Sequence, residues 1–233
     1  MTPEEQNKIL KSTRAACISN AEAFLTVAER ELDNSNTNHI CYHLALLGME
    51  EIGKSILATI SFTTTVAGKE EPGLMDASDD HKKKIFWAIW GGSMLRDNKF
   101  TKEGIEQSKR LADTLHERRL GSLYTDARNP IPIDERIEDG EVKTLVELTR
   151  ARLELEKTQE LTDFETDDIK TLTWFFDAVE DEEKKKHIFG SVSLKKLNEV
   201  QSGKEWIKWL YDTFRKNAEE MRELAEKELK REE

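Results

Sequence analysis

The segment ICYHLALLGMEEIGKSIL, residues 40–57, decides the fold class of this chain. Its apolar residues recur every three or four positions, as expected of an amphipathic α-helix: Ile40, Leu44, Leu47, Met49, Ile52, Ile56 and Leu57. His43, Glu50 and Lys54 are spaced i, i+7 and i+11, so they line one face of this helix, with Glu51 one step round. The segment therefore predicts a helix that carries polar groups as well as core residues.

The rest of the chain repeats this helical pattern, and alternating β-branched segments are almost absent. Thr2-Pro3-Glu4-Glu5 is a capping box, and we expect the helix that it begins to run to about Leu32. Five further helices and a terminal one are predicted: from Asp79 or Asp80 through Leu95, from Thr101 to near Gly121, from Glu141 through Leu155, around residues 167–179 and 193–200, and from near Lys204 onward. The chain is predicted to be all-α, a helical bundle with additional C-terminal helices.

Two segments with turn-forming residues interrupt the helices, at residues 68–78 and 122–140. The second segment divides an N-terminal helical bundle, residues 1–135, from a C-terminal helical extension, residues 136–233. We expect the extension to pack on the bundle as one compact unit. The last helix loses apolar residues after Arg215, so its end is expected to project or to pair with a partner.

The composition limits the classes of function. The chain has 233 residues, 36% of them charged, and a formal net charge of −11. A broad nucleic-acid-binding surface is excluded because such surfaces carry a basic excess, but a small basic pocket on an acidic body is not. Cys17 and Cys41 lie within apolar helical patterns and are predicted to be reduced core residues. Because no signal region or membrane-length apolar stretch is present, we expect a soluble, cytoplasmic protein.

Motifs for metals, nucleotides and nucleophilic catalysis are missing. A di-iron bundle needs Glu-x-x-His on two helices, whereas this chain offers only Asp113-x-x-His116 and the mismatched Glu183 and His187. Gly53-Lys54-Ser55 resembles the end of a phosphate-binding loop, but it lies within a helix and lacks the first glycine. We therefore expect neither a metal nor another cofactor.

The polar residues of segment 40–57 have two interpretations. In the first, Glu50 and Lys54 form an exposed i,i+4 ion pair. In the second, Glu51 and Lys54 point inward as buried groups that orient a site, which the small residues Gly48 and Gly53 permit by allowing tight packing.

The next predicted helix begins with Asp80-His81-Lys82-Lys83-Lys84. An imidazole at a helix N-terminus is available for proton transfer, and the helix dipole favours its neutral form. His81 and Lys82 are therefore candidates for a functional site, whereas Lys83 and Lys84 are expected to form a solvated first turn.

The segment RRLGSLYTD, residues 118–126, brings two guanidiniums, a phenol and a carboxylate into nine residues. Guanidiniums bind phosphate groups bidentately, and a nearby phenol can donate a hydrogen bond to the same group. Arg118, Arg119, Tyr124 and Asp126 are therefore candidate phosphate-binding or pocket residues.

Three short motifs, in this order, resemble the AbiV family of abortive-infection proteins: Glu-Glu-x-Gly-Lys at 50–54, His-Lys-x-Lys at 81–84 and Gly-Ser-Leu-Tyr-Thr-Asp at 121–126. The resemblance covers roughly residues 10–135 and places the chain in the HEPN superfamily. Members of that superfamily are helical and usually dimeric, and many are metal-independent ribonucleases in phage defence and toxin systems.

The catalytic signature of the superfamily is Arg-x4–6-His, and this chain departs from it. Tyr124 follows Arg118 and Arg119 where the histidine would stand. A phenol, with an ordinary pKa of about 10, is a poor base at pH 7. His81 would supply the missing imidazole if the third predicted helix lies beside the fourth.

The resemblance implies roles for the candidate residues. Arg119 would hold phosphate, Tyr124 would donate a hydrogen bond and His81 would transfer a proton. The remaining candidates would shape the pocket or bind RNA: Glu50, Glu51, Lys54, Lys82, Arg118 and Asp126.

The resemblance implies a homodimeric antiphage protein that acts on RNA or on the translation machinery, as a metal-independent endoribonuclease. The alternative is a catalytically inactive HEPN module that binds a phage or host protein, which the acidic charge and the absent histidine favour. A third interpretation is a helical scaffold whose motifs only pack its core.

Overall fold

The computed structural model describes residues 2–69, 80–96, 102–123, 137–159, 164–200 and 202–232. Within these ranges the regular structure is entirely helical, which confirms the predicted all-α class. The helices, in chain order, are α1 (Pro3–Arg30), α2 (Asn38–Val66), α3 (His81–Arg96), α4 (Lys102–Leu123), α5 (Asp139–Lys157), α6 (Thr166–Glu180), α7 (Glu182–Ile188), α8 (Ser191–Val200) and α9 (Gly203–Glu232). None of these helices is both long enough and apolar enough to cross a membrane.

Local signals in the sequence place most helix ends correctly. At the start of α1 the Thr2 hydroxyl accepts a hydrogen bond from the Glu5 backbone N–H at 3.2 Å, and the Glu5 carboxylate accepts one from the Thr2 N–H at 2.8 Å. This geometry confirms the capping box. Helix α1 ends at Arg30, slightly before the predicted Leu32.

Helix α7 is a helix that the sequence pattern does not predict. Its mixed charges are typical of a solvated surface, and six of its seven residues are exposed. The Asp181 carboxylate nevertheless accepts hydrogen bonds from the backbone N–H groups of Glu183 and Lys184, and so caps a short helix. The predicted irregular segments, 68–78 and 122–140, lie largely outside the described residues.

The described residues form two units. One belongs to Met1–Thr65 and Glu70–Thr162, and the other to Val66–Lys69 and Asp163–Glu233. The division therefore falls after residue 162, whereas the sequence predicts it after residue 135. The reason is the apolar stripe of α5, whose buried residues belong to the core of the first unit: Val142, Leu145, Val146 and Leu153.

The first unit is built around α2, which is buried along much of its length. Its core joins residues of α1, α2, α3, α4 and α5: Ala21, Leu25, Ala28, Cys41, Tyr42, Ala45, Leu46, Met49, Ile52, Ile85, Ala88, Ala112, Val142, Leu145, Val146 and Leu153. Cys41 belongs to this core and Cys17 is also buried, so both cysteines are the core residues that the sequence predicts. Polar groups on so deeply buried a helix need partners from its neighbours.

The second unit packs α6 against α7 and α9, and α8 against α9. Trp206 and Leu210 of α9 are buried, as the sequence predicts for the first half of this helix. The Trp206 indole N–H donates to the Ser193 carbonyl oxygen at 3.0 Å and to its hydroxyl at 2.9 Å. These bonds fix α9 on α8.

Candidate functional site

A buried carboxylate, Glu50 of α2, is contacted by three basic side chains. Glu50 is only 3% exposed. Its Oε2 accepts a hydrogen bond from Nδ1 of His81 at 2.7 Å and lies 3.2 Å from Nζ of Lys84. Its Oε1 lies 3.3 Å from Nε of Arg119, which reaches it from α4. We call Glu50, His81, Lys84 and Arg119 the Glu50 cluster.

Gly53, one turn after Glu50, explains how α3 comes close enough to supply two of these contacts. A Cβ atom at Gly53 would lie 1.9 Å from the carbonyl oxygen of Lys84 and 2.6 Å from its carbonyl carbon. Only glycine permits two backbones to approach so closely. The crossing of α2 and α3 at Gly53 therefore carries His81 and Lys84 to the Glu50 carboxylate.

The same crossing corrects one expectation about the first turn of α3. Lys84 is only 4% exposed, so the prediction that it is solvated is wrong. Its ammonium group is buried beside Glu50 because a buried carboxylate is stabilised by a buried cation. Lys83 is exposed, as predicted.

Helix α4 contributes a second imidazole beside the Glu50 cluster. His116 lies three residues before Arg119, so both project from the same side of α4. The His116 ring stacks on that of His81, with 6.0 Å between ring centroids and 21° between planes. Helices α3 and α4 therefore lie side by side, which is the arrangement that the sequence requires for His81 to stand near Arg119.

Burial and nearby cations control the protonation of His116. Burial lowers its pKa, and the positive charges of Lys82 and Arg119 lower it further. The ring is therefore neutral at physiological pH, and it can accept a proton. Its Nδ1 is buried and has no hydrogen-bond partner among the described residues.

A third histidine, His43 of α2, interacts electrostatically with Arg119 and Glu50. Burial lowers its pKa, and the Arg119 guanidinium acts in the same direction. His43 and Glu50 share a face of α2, as their spacing of seven residues predicts.

Glu51 has partners of its own on the neighbouring side of α2. Its Oε1 accepts from Lys54 Nζ at 2.6 Å, and its Oε2 accepts from Asn20 Nδ2 at 3.2 Å. Although burial raises it, these two hydrogen bonds hold the pKa of Glu51 below its usual value. Burial and the adjacent Glu51 raise the pKa of Cys17 to about 12, so that thiol stays protonated.

Lys54 therefore pairs with Glu51, and the interpretation in which Lys54 forms an exposed pair with Glu50 is wrong. The inward orientation of Glu51 agrees with the alternative. Through its contacts with Asn20 and Lys54, Glu51 joins α1 to α2.

Two half-exposed ion pairs lie on the surface of the same helices. Lys82 Nζ lies 2.9 Å from Asp113 Oδ1, which links the start of α3 to α4. Arg118 Nε lies 3.2 Å from Glu141 Oε1 of α5, so the partner of Arg118 lies outside the Glu50 cluster.

The structure brings together three of the predicted site residues, Glu50, His81 and Arg119, with Lys82 beside them. Tyr124 and Asp126 lie outside the described residues. Lys84 and His116 complete the arrangement and are not predicted from the sequence. The spacing of three residues between His116 and Arg119 on one predicted helix is the signal that would have identified His116.

The arrangement combines basic side chains with two imidazoles. Two basic side chains, Lys84 and Arg119, face one carboxylate, Glu50, and an excess of basic groups favours an anion such as phosphate. His81, with a side chain 42% exposed, and His116 provide two imidazoles at its edge. Among the described residues, no group of three histidine, cysteine, aspartate or glutamate side chains is arranged to hold a metal ion.

The comparison with protein families identifies the chain. The family model HEPN_AbiV, described as AbiV, matches residues 9–154, which contain every residue of the Glu50 cluster and His116. Comparisons with curated proteins and with solved structures find no significant match. The match covers more than half of the chain and agrees with the all-helical fold and the three sequence motifs. This chain belongs to the AbiV family of abortive-infection HEPN proteins.

Proposed function

We propose that this protein is a metal-independent endoribonuclease of phage defence and that the Glu50 cluster with His116 is its active site. The observation that carries this proposal is the stacked pair of imidazoles, His81 and His116, beside the Arg119 guanidinium. Metal-free cleavage of RNA needs a base, an acid and a cation, and these residues supply one of each.

The base in this proposal is His116. Its lowered pKa keeps the ring neutral at pH 7, so it can take the proton from a ribose 2′-hydroxyl. The 2′-oxygen then attacks the adjacent phosphorus, and the bond to the 5′-oxygen of the next nucleotide breaks.

The acid is His81, which gives a proton to the departing 5′-oxygen. In this proposal Nδ1 of His81 donates a hydrogen bond to the Glu50 carboxylate across their 2.7 Å contact. This bond holds the ring in one orientation, and the proton given to the 5′-oxygen is the one that Nε2 carries in the imidazolium form of the ring. Glu50 is therefore a positioning residue in this scheme.

Arg119 holds the phosphate in this proposal. A guanidinium has five N–H donors, so it can contact a carboxylate and a phosphate oxygen together. The buried charge of Lys84 adds to the positive potential at this point. Together they offset the negative charge that develops on the phosphate oxygens as the bond to phosphorus forms.

Cleavage in the presence of EDTA tests this function. Purified protein is incubated with labelled single-stranded RNA, and the wild type is compared with Arg119→Ala and Arg119→Lys. We expect EDTA to have no effect, Arg119→Ala to lose roughly 100-fold in rate, and Arg119→Lys to retain part of it. Dependence on a divalent cation, or full activity of Arg119→Ala, would contradict the proposal.

The partner-binding module remains the second candidate because Arg119 is only 13% exposed and already pairs with Glu50. If wild type leaves RNA intact while Arg119→Ala loses phage protection and a co-purifying protein, the module is favoured. In either case we propose a cytoplasmic homodimer, which predicts a sedimenting mass of two chains.

A further inference from the structure

Helix α3 presents two chemically different faces. Toward the core it carries Lys84, Ile85 and Ala88, all buried. Away from these residues it carries one exposed lysine and three partly exposed aromatic rings at a spacing of three or four residues: Lys83, Phe86, Trp87 and Trp90.

The three rings form one contiguous group. Phe86 and Trp90 stack with centroids 5.7 Å apart and planes 13° apart, and Trp87 meets Trp90 edge-on at 5.2 Å. Phe86 also packs against the core of the first unit, which anchors the group. All three rings are partly exposed. The group is therefore a fixed, partly exposed aromatic surface.

Such a surface suits a nucleobase. Bases stack on aromatic side chains in single-stranded nucleic acids, and lysines nearby hold the backbone phosphates. Lys82 and Lys83 supply the charges, and their half-exposed pairs with Asp113 and Asp80 are of the surface kind that phosphate readily replaces.

The aromatic group also lies at a suitable distance from the Glu50 cluster. Trp87 follows His81 by six residues, which is about 9 Å along the helix axis and about a third of a turn around it, and Trp90 follows His81 by about 14 Å and half a turn. An RNA strand whose phosphate lies at the Glu50 cluster would pass part of the way around α3 to place a nearby base on the indoles.

We propose that Trp87, supported by Phe86 and Trp90, is a stacking site for one base of single-stranded RNA. This inference rests on the proposed function for the position of the phosphate, but it concerns binding and not cleavage. It explains how an acidic chain binds RNA with few phosphate contacts.

Binding of an uncleavable probe tests the inference separately from catalysis. The full chain is titrated with a fluorescent, fully 2′-O-methylated single-stranded RNA, and anisotropy gives Kd. We expect Trp87→Leu to weaken binding roughly tenfold and Trp87→Phe to retain most of the affinity. Trp209→Leu, in the second unit, is the matched control and should bind as the wild type does.

Two further probes sharpen the result. An inorganic polyphosphate chain, which has no bases, should bind equally to wild type and Trp87→Leu. A duplex of the same sequence should bind more weakly than the single strand because its bases are already stacked. Thermal melting of each variant separates lost binding from lost folding.

Several outcomes would overturn the inference. Unchanged affinity in a folded Trp87→Leu variant would do so, as would equal loss for polyphosphate. Self-association or vesicle binding that disappears in Trp87→Leu, with RNA binding intact, would assign the surface to a second copy or a membrane.

One outcome separates this inference from the proposed function. Trp87-dependent binding of the probe, without cleavage of ordinary RNA in EDTA, would support the stacking site and contradict the proposed ribonuclease.

Discussion

Among the described residues of the first unit, Glu50 and Glu156 are both buried and both pair with arginine, and they have different surroundings. Glu156 of α5 accepts a hydrogen bond from Ser55 at 2.8 Å, and Arg14 lies 3.3 Å from the same carboxylate. Arg14 also donates to the Glu156 carbonyl oxygen at 2.8 Å, so its guanidinium binds backbone as well as side chain. Glu50 instead pairs with Arg119, Lys84 and an imidazole.

The partners of the two carboxylates show which feature distinguishes a functional site from a structural contact. The Glu156 group joins α1, α2 and α5 through partners that do not titrate near neutral pH. The Glu50 cluster includes the half-exposed imidazole of His81, and the His116 ring stacks on it. A buried carboxylate with an arginine is thus insufficient, and the nearby titratable groups point to chemistry.

The largest loss of stability is expected on substitution of Gly53, because the close approach of α3 at this residue brings the Glu50 cluster together. In Gly53→Ala the new Cβ would clash with the Lys84 backbone carbonyl, so α3 must shift. We expect a loss of about 3 kcal/mol in the free energy of unfolding, with loss of RNA cleavage. Denaturant unfolding measures the first quantity.

Gly48→Ala is the matched control for this change. Its Cβ would meet its nearest neighbours at 3.4 to 3.6 Å, which is ordinary van der Waals contact. Because alanine favours helix, its stability should lie within about 1 kcal/mol of wild type. Equal losses in the two variants would contradict the role assigned to Gly53.

Replacing each glutamate by glutamine in turn tests directly whether the two carboxylates differ in their contribution to stability. Glu50→Gln leaves Lys84 and Arg119 buried without their carboxylate, which should cost about 3 kcal/mol. Glu156→Gln should cost about 1 kcal/mol or less, because Arg14 keeps its bond to the Glu156 carbonyl. Unfolding at neutral pH compares the two, and the opposite order would refute this distinction.

The Glu156 group has a pH dependence of its own. Burial raises the pKa of Glu156, although Ser55 and Arg14 act in the opposite direction. The folded chain therefore holds this proton more tightly than the unfolded chain does. Its contribution to stability is present below the unfolded pKa and is lost as pH rises through the raised one. Glu156→Gln should remove that part of the pH profile of melting, whereas an unchanged profile would contradict it.

The smallest effect concerns the surface charge beside His116. Lys82 is one of the cations that lower the pKa of His116. In Lys82→Gln that pKa rises, so the increase of kcat/KM with pH should move by about a few tenths of a unit to higher pH. Lys109→Gln, which removes an exposed lysine paired with Glu106, is the control. A shift in the acid direction would contradict the assignment of His116 as base.

The helical fold was predictable because its signals are local. Apolar spacing fixed the class of every long helix, and the Thr2 capping box fixed a helix start. The sequence predicts a boundary at residue 135 and the structure divides after residue 162, because the loop composition at 122–140 does not show that α5 shares a core with α1 and α2.

The site was predictable only in part, because it depends on the crossing of α2 and α3. Family motifs brought Glu50, His81 and Arg119 into one hypothesis. They could not show that a carbonyl rests on Gly53, which buries Lys84. Nor could they show that His116 faces His81, because that contact depends on how α3 packs against α4.

The central claim is that the imidazole pair at Glu50 performs chemistry. Single-turnover cleavage of a labelled RNA in EDTA, by His116→Asn and by His187→Asn, tests it most directly. His187 is an exposed histidine of the second unit. We predict that His116→Asn loses roughly 100-fold or more in rate with its melting temperature close to that of wild type, and that His187→Asn keeps full activity. Equal rates for the two variants would contradict the claim and leave the Glu50 group as a structural contact.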